Sequence, residues 1–280
     1  MTALAALAGL GPIGLDELTA QAELQTRRDR KYVLPLSELS ALLPALGRDT
    51  RILDIDGRRL FRYASVYFDT PDLTSFRLTA LRRRKRFKIR TRTYLDSGLC
   101  WLEVKTEGVR GGTVKTRLAY AQDDHRDVAP GRWFVDAVLA DLAVADPAAL
   151  ALAPILTTRY LRSTLYLPAS QSRVTIDIDL AWNDLGRADL ALPALAVVET
   201  KTRAAASEVD RLLWARGHRP TPISKYATGL AALRPDLPAA PWRRLLRRHF
   251  PPAAPAADRR TEKCAVPPVP SSSPQLSSPL

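Results

Sequence analysis

The chain has 280 residues and a net charge of +13, from 42 Lys plus Arg against 29 Asp plus Glu, and its 46% hydrophobic content is enough to build a core. Two cysteines exclude a disulfide framework, three histidines leave no His-based metal site, and no apolar run reaches the ~18 residues that span a membrane. The basic excess selects a polyanionic partner: nucleic acid, an acidic membrane surface or a chain of phosphates. Residues 1–27 begin apolar but lack a basic n-region, so they read as an extension and not as a secretion signal. From residue 28 the pattern has period two. In RDRKYV (28–33) Asp29 and Lys31 share one face of a strand. Residues 35–43 have helical spacing with Ser37 as a cap, and 63–68 read as a strand. Asp69 and Asp72 flank Pro71 as turn formers, and Tyr67, Phe68 and Trp101 read as packing residues, Trp101 sharing a face with Glu103.

The densest charge lies in RRRKRFKIRTR (82–92), eight basic residues in eleven. Its first half reads as a solvated loop. Its second half alternates, with Lys88, Arg90 and Arg92 on one face and Phe87, Ile89 and Thr91 on the other. The same phase recurs in CWLEVKT (100–106), where Glu103 and Lys105 oppose Leu102 and Val104, and in TVKTRL (113–118), where Lys115 and Arg117 share a face. Asp96-Ser97-Gly98 and Gly111-Gly112 supply the hairpin turns. A helix follows over 133–142, then strands over 155–167 (carrying Arg159 and Arg162), 172–180 and 196–202. In the second of these Arg173, Thr175, Asp177 and Asp179 share a face; in the third, Glu199 and Lys201 do. A last amphipathic helix over 207–216 is stopped by Gly217. Residues 235–280 hold 11 of the 22 prolines, carry seven basic and three acidic residues, and read as a disordered basic tail. Within it, 242–250 has the pattern of a short basic amphipathic helix.

About eight strands and a few helices indicate an antiparallel α+β protein without βαβ alternation, GxGxxG or a Walker loop. The charged faces admit two readings. One is a half-solvated sheet with charges outward. The other is a barrel turned inside out, with apolar faces packed outward against helices and charged faces lining a lumen. Like charges on neighbouring strands repel, so the second reading needs a polyanion between them.

Six segments in matching order carry a resemblance: YASVYFDTPDLTSFR (63–77), FKIRTRTYLDSGLCWLEVKT (87–106), TVKTRL (113–118), RVTIDIDL (173–180), VVETKT (197–202) and PISKYATG (222–229). Over 28–233 the chain resembles the catalytic domain of the vacuolar transporter chaperone (VTC) family, polyphosphate polymerases of the triphosphate tunnel metalloenzyme superfamily. The resemblance implies an eight-stranded antiparallel β-barrel tunnel with helices packed outside, occupying 28–234. It implies a phosphate-gripping lining of Lys31, Arg90, Arg92, Lys105, Lys115, Arg117, Arg162, Arg173, Lys201 and Lys225, with Arg159 as an alternative to Arg162. Arg90, Arg92, Lys225 and Glu199 would be catalytic. Glu199, Glu103 and Asp177 would hold Mn²⁺ or Mg²⁺, with Glu103 alternatively supporting a basic neighbour. The implied reaction passes the γ-phosphate of ATP to a growing inorganic polyphosphate chain. Phosphoryl transfer needs positioning and charge neutralisation more than a protein nucleophile, which suits a chain rich in Arg and Lys and without a Ser-His-Asp set.

Three rival readings follow from the same residues. One is a triphosphate hydrolase or nucleotidyl cyclase of the same superfamily; those branches carry Glu-x-Glu-x-Lys in the first strand, where this chain has Asp29-Arg30-Lys31. Another is a non-catalytic polyphosphate-binding module. A nucleic-acid binder is disfavoured, because Phe87 and Tyr94 alone flank the basic strand where stacking aromatics would be interleaved. The expected location is cytoplasmic, with room for a peripheral place at the inner face of the membrane and a membrane-protein partner in trans.

Overall fold

The computed structural model describes residues 7–21, 28–107, 112–144, 146–203, 205–250 and 254–255. Its strands are β1 (Gly11–Ile13), β2 (Arg28–Pro35), β3 (Arg51–Leu53), β4 (Phe61–Asp69), β5 (Phe87–Tyr94), β6 (Cys100–Glu107), β7 (Thr113–Tyr120), β8 (Ala153–Leu167), β9 (Ser172–Asn183), β10 (Ala188–Leu192), β11 (Leu195–Thr202) and β12 (Ala254–Pro255). Its helices are α1 (Leu15–Gln21), α2 (Leu36–Leu42), α3 (Thr74–Ala80), α4 (Arg132–Asp141), α5 (Glu208–Ala215), α6 (Lys225–Leu233) and α7 (Arg243–His249). The eight strands expected from period two form one antiparallel path, β2-β11-β9-β8-β4-β5-β6-β7. The short β3 extends β8, β1 lies parallel to β3, and β10 with β12 extends β9.

Alternation fixes which side faces what. Tyr32, Leu34, Val174, Ile176, Leu165, Ala196 and Val198 pack with Leu39 and Leu42 of α2 and Val209 and Leu213 of α5. Val66, Phe68, Phe87, Ile89, Leu102 and Val104 pack with Phe134, Val135 and Leu139 of α4. The apolar faces therefore turn outward against helices, and the charged faces turn inward. The path also bends round. Strands β5 and β9 are three steps apart along it, yet the consecutive residues Ser224 and Lys225 touch Lys88 on β5 and Asp177 on β9. This is the inside-out, barrel-like α+β tunnel and not the half-solvated sheet. Among the described residues β2 and β7 end the path without pairing to each other; Thr221 donates to the Lys31 carbonyl (2.7 Å) along the outer edge of β2.

One end of the lumen is filled by apolar groups. Val33, Tyr63, Tyr67, Tyr160, Trp182 and Val197 meet Ile223, Tyr226 and Leu230 of the α6 segment, Phe76 of α3, Trp242 just before α7 and Leu245 of α7. Gly229 permits the approach of α6: a Cβ there would lie 2.3 Å from two atoms of the Trp182 ring. The Trp182 Nε1 donates to the Lys225 carbonyl at 2.7 Å, which fixes the ring.

Several local readings are corrected. Residues 235–250 do not begin a solvated tail: Trp242, at the cap of α7, and Leu245 within it are buried, since the run WRRLLRRHF places its apolar residues on one side and its arginines on the other. Residues 251–253 and 256–280 lie outside the described residues, as do 1–6, 22–27 and Gly111 of the second expected turn. The cap of α2 is Pro35 and not Ser37, whose position falls inside the helix; the fixed φ of Pro35 suits a helix entrance. Asp69 is fully buried at the end of β4 and satisfies first-turn N–H groups of α3, whose cap residue is Leu73, accepting from the N–H groups of Thr70, Ser75 and Phe76 and from the Tyr226 hydroxyl. Helix α5 starts on Ser207 and ends before Gly217 (φ +80°), as its sequence predicts, with Ser207 and Asp210 capping each other.

Candidate functional site

Register places the inner residues in rows. Across β5, β6 and β7, Lys88 is opposite Lys105, which is opposite Lys115; in the next row Arg90, Glu103 and Arg117 align; in the next, Arg92 is opposite Trp101. On the other wall Glu199 is opposite Lys31 on one side and Thr175 on the other, and Lys201 is likewise between Asp29 and Arg173. Arg162 is opposite Asp177. By register all nine strand-borne lining residues selected from the sequence share this face, although Lys115 and Arg117 on the end strand β7 are exposed, and Lys225 reaches it from the first turn of α6. Arg159 is exposed and is no substitute for Arg162. Asp179 is exposed too: it sits in a bulge of β9 at φ +51°, opposite a register break in β8. The bulge resets the phase, so that Leu180 and Trp182 turn inward with the apolar plug.

The carboxylates divide the cations into groups. Glu103 is 1% exposed. It accepts from Arg90 Nε (2.8 Å) and Nη2 (2.6 Å), with Lys115 Nζ at 3.4 Å and Arg92 Nε at 3.8 Å. Burial opposes its ionisation, but Arg90, Arg92 and Lys115 outweigh burial and hold it well below the usual range. Asp177 (2% exposed) accepts from Arg162 at 2.6 and 2.8 Å and from Lys225. Against burial, these two partners lower it to about 2. Glu199 lies 3.3 Å from Lys201 Nζ, which is also 3.6 Å from Asp29. Burial raises it, while Lys201, Lys31, Arg162 and Lys105 hold it well below the ordinary glutamate range.

For a divalent ion this donor set is uneven. No group of three or more Asp, Glu, His or Cys forms a metal cluster among the described residues. Glu103 and Asp177 spend their oxygens on guanidinium and ammonium groups, so they are placed as supports for basic neighbours. Glu199 fits a hard cation as a single carboxylate, because Mg²⁺-type ions bound to phosphate chains take most of their oxygens from phosphate and water.

Several buried polar atoms of this wall have no hydrogen-bond partner in the protein: the hydroxyls of Ser65, Thr158, Tyr160 and Thr175, and Arg92 Nε, whose nearest carboxylate, Glu103, is 3.8 Å away. Tyr160 is 3% exposed and stacks on Tyr63 (centroids 5.2 Å apart). Lys225 Nζ lies 4.3 Å and the Arg162 guanidinium 5.3 Å from its ring centre. Burial raises the phenol, but Arg92, Arg162 and Lys225 together bring it below its usual value. Unpartnered donors set among cations present what an oxygen-rich anion lacks protons for.

A scan against family models matches the VTC domain over residues 26–234. The chain belongs to the VTC domain family. No curated protein matches it. The solved structures to which it is similar are distant. A Bacillus halodurans protein provisionally assigned as an adenylate cyclase is 16% identical, with a TM-score of 0.46, over 72% of this chain and 95% of that one. A Hippeastrum protein provisionally assigned as an adenylyl cyclase, described as having a dominant triphosphatase activity, is 14% identical, with a TM-score of 0.43, over 72% and 94%. Nothing about activity passes from them to this VTC domain.

Sequence reasoning left out four groups that this VTC domain brings to the site. Lys88 faces the lumen and donates to Ser224 Oγ at 2.7 Å; its strand phase, shared with Arg90 and Arg92, was the available signal. Tyr160 stands two positions before Arg162 in TRYLR, and Ser224 immediately before Lys225 in ISKY. Tyr67, read as packing, accepts from Arg90 Nη1 at 3.2 Å. No described helix is long and apolar enough to cross a membrane.

Proposed function

We propose that this VTC domain is an ATP-dependent polyphosphate polymerase. The observation that carries the reading is the inner wall itself: rows of Lys and Arg in register, interrupted by unpartnered buried hydroxyls, along a lumen suited to a narrow ligand. A terminal phosphate oxygen of the growing chain attacks the γ-phosphorus of ATP. That P–O bond forms as the β,γ-bridging P–O bond breaks, and ADP leaves with the electron pair. Arg90 and Arg92 offer planar forks to the equatorial oxygens of the transferring group, and Glu103 and Tyr67 hold the Arg90 fork in place. Arg162 and Lys225, aligned by Asp177, supply charge on the opposite wall. Lys31, Lys105, Lys115, Arg117, Arg173 and Lys201 line the path of the chain. Mn²⁺ or Mg²⁺ carried by the phosphates would take Glu199 as its protein ligand and would neutralise charge on the phosphate oxygens. ATP as donor corresponds to a cytoplasmic enzyme.

The purified full chain, incubated with ATP and Mn²⁺, is expected to make phosphate chains resolvable on a gel, and Arg90→Ala and Glu199→Gln are expected to abolish them. Release of orthophosphate without chains would overturn the polymerase reading in favour of a hydrolase.

A further inference from the structure

Lys88 differs from its neighbours in the partner it keeps. Arg90, Arg92, Lys115, Arg162, Lys201 and Lys225 each lie within 4 Å of a carboxylate, whereas the hydrogen bond of Lys88 goes to the neutral hydroxyl of Ser224, at 2.7 Å. Lys105 stands directly opposite it in register, and Lys115 opposite Lys105, so three ammonium-bearing side chains cross three adjacent strands in one row. Such a row is repulsive unless an anion lies over it. Ser224 also caps α6, its hydroxyl accepting from Ala227 N–H, so Lys88 ties β5 to the helix that plugs the lumen.

We propose that Lys88 provides a further phosphate subsite at the α6 end of the tunnel, its ammonium passing from Ser224 to a phosphate oxygen when the chain enters. The proposal rests on the reading of the lumen as a polyphosphate site. The charged groups that act most strongly on Lys88 are the cations Lys31 on β2, Arg90 on β5 and Lys225 on α6 and the anion Glu199 on β11, and Lys88 in turn acts on Lys105 on β6. Burial and then Lys31, Arg90 and Lys225 lower the ammonium to about 7, against the opposing pull of Glu199. Above that pH Lys88 is largely neutral in the free protein, and an arriving anion favours its charged form. Binding therefore draws a proton onto Lys88, and affinity falls as pH rises through the range between its free and bound values.

The test is calorimetric titration of the full chain with tripolyphosphate at pH 8, in two buffers of different protonation enthalpy. Relative to wild type, Lys88→Met is expected to bind about tenfold more weakly and to take up fewer protons. Lys88→Arg, always charged, is expected to keep the affinity and lose the same proton uptake. Should one variant fail to fold, as read by its melting transition, the other decides. Wild-type affinity in Lys88→Met, or wild-type proton uptake in either variant, overturns the proposal while the phosphate reading stands. Absence of tripolyphosphate binding by the wild type overturns the reading of the lumen itself.

Discussion

Glu103→Gln tests how the inner wall tolerates its own charge. The substitution keeps shape and removes one negative charge. That charge is 1% exposed, accepts two hydrogen bonds of 2.6 and 2.8 Å from Arg90, and lies within 4 Å of Arg92 and Lys115. An amide has one acceptor oxygen, and its NH₂ would confront cationic donors. Removing one partner of a buried ion pair costs about 3–5 kcal/mol, and at this burial there is little solvent screening to discount. Urea unfolding at pH 7 is expected to show a loss of that size. The pH dependence has a definite sign. The folded-state pKa of Glu103 is depressed, so its contribution is fully present above the unfolded value near ~4.3 and fades as pH falls towards the folded value. The gap between wild type and variant should therefore narrow in acid below about pH 4. A loss under about 1 kcal/mol at neutral pH would mean that Glu103 behaves as a screened surface pair and that the wall does not depend on it.

Gly229→Ala opposes two effects: a helix interior gains about 1 kcal/mol from Ala, but the new Cβ would sit 2.3 Å from the Trp182 ring. Overpacking costs about 1–3 kcal/mol, so net destabilisation with a change in tryptophan fluorescence is expected; a more stable variant would show that α6 can shift freely. Trp242→Ala is expected to lose about 3–5 kcal/mol in chemical unfolding, because the ring is buried against Phe76 (centroids 6.0 Å apart). An unaffected midpoint would return 235–250 to the status of a tail.

Strand identity and phase were legible because period two survives without tertiary information, and the charged faces of 87–94, 100–107 and 195–202 fall where alternation puts them. Alternation fails at a bulge. Asp179 shares sequence phase with Asp177 yet points outward, since one extra residue in β9 shifts every later side chain to the other face. The plug was illegible for another reason. Helix α6 is apolar nearly all round, which at nine residues carries no amphipathic signal, and its partners Tyr67, Trp182 and Phe76 come from three distant segments. Whether a carboxylate supports a cation or serves a metal also depends on three-dimensional neighbours: Glu103 and Glu199 both precede a lysine by two positions, and the distinction lies in the guanidinium that Arg90 lays across Glu103.

The pairing of β2 with β11 has a consequence for how the molecule comes into being. Arg30 bonds to Thr202, 172 positions later in the chain. The first long strand therefore emerges from the ribosome with its edges bare and finds its partner only after most of the domain has been made. Pairings of such separation close large loops and slow folding. Until they form, walls of like charge must be brought face to face, and mobile anions in the surrounding solution lower that repulsion by screening. The ionic medium in which the chain is synthesised thus takes part in setting how fast the tunnel assembles.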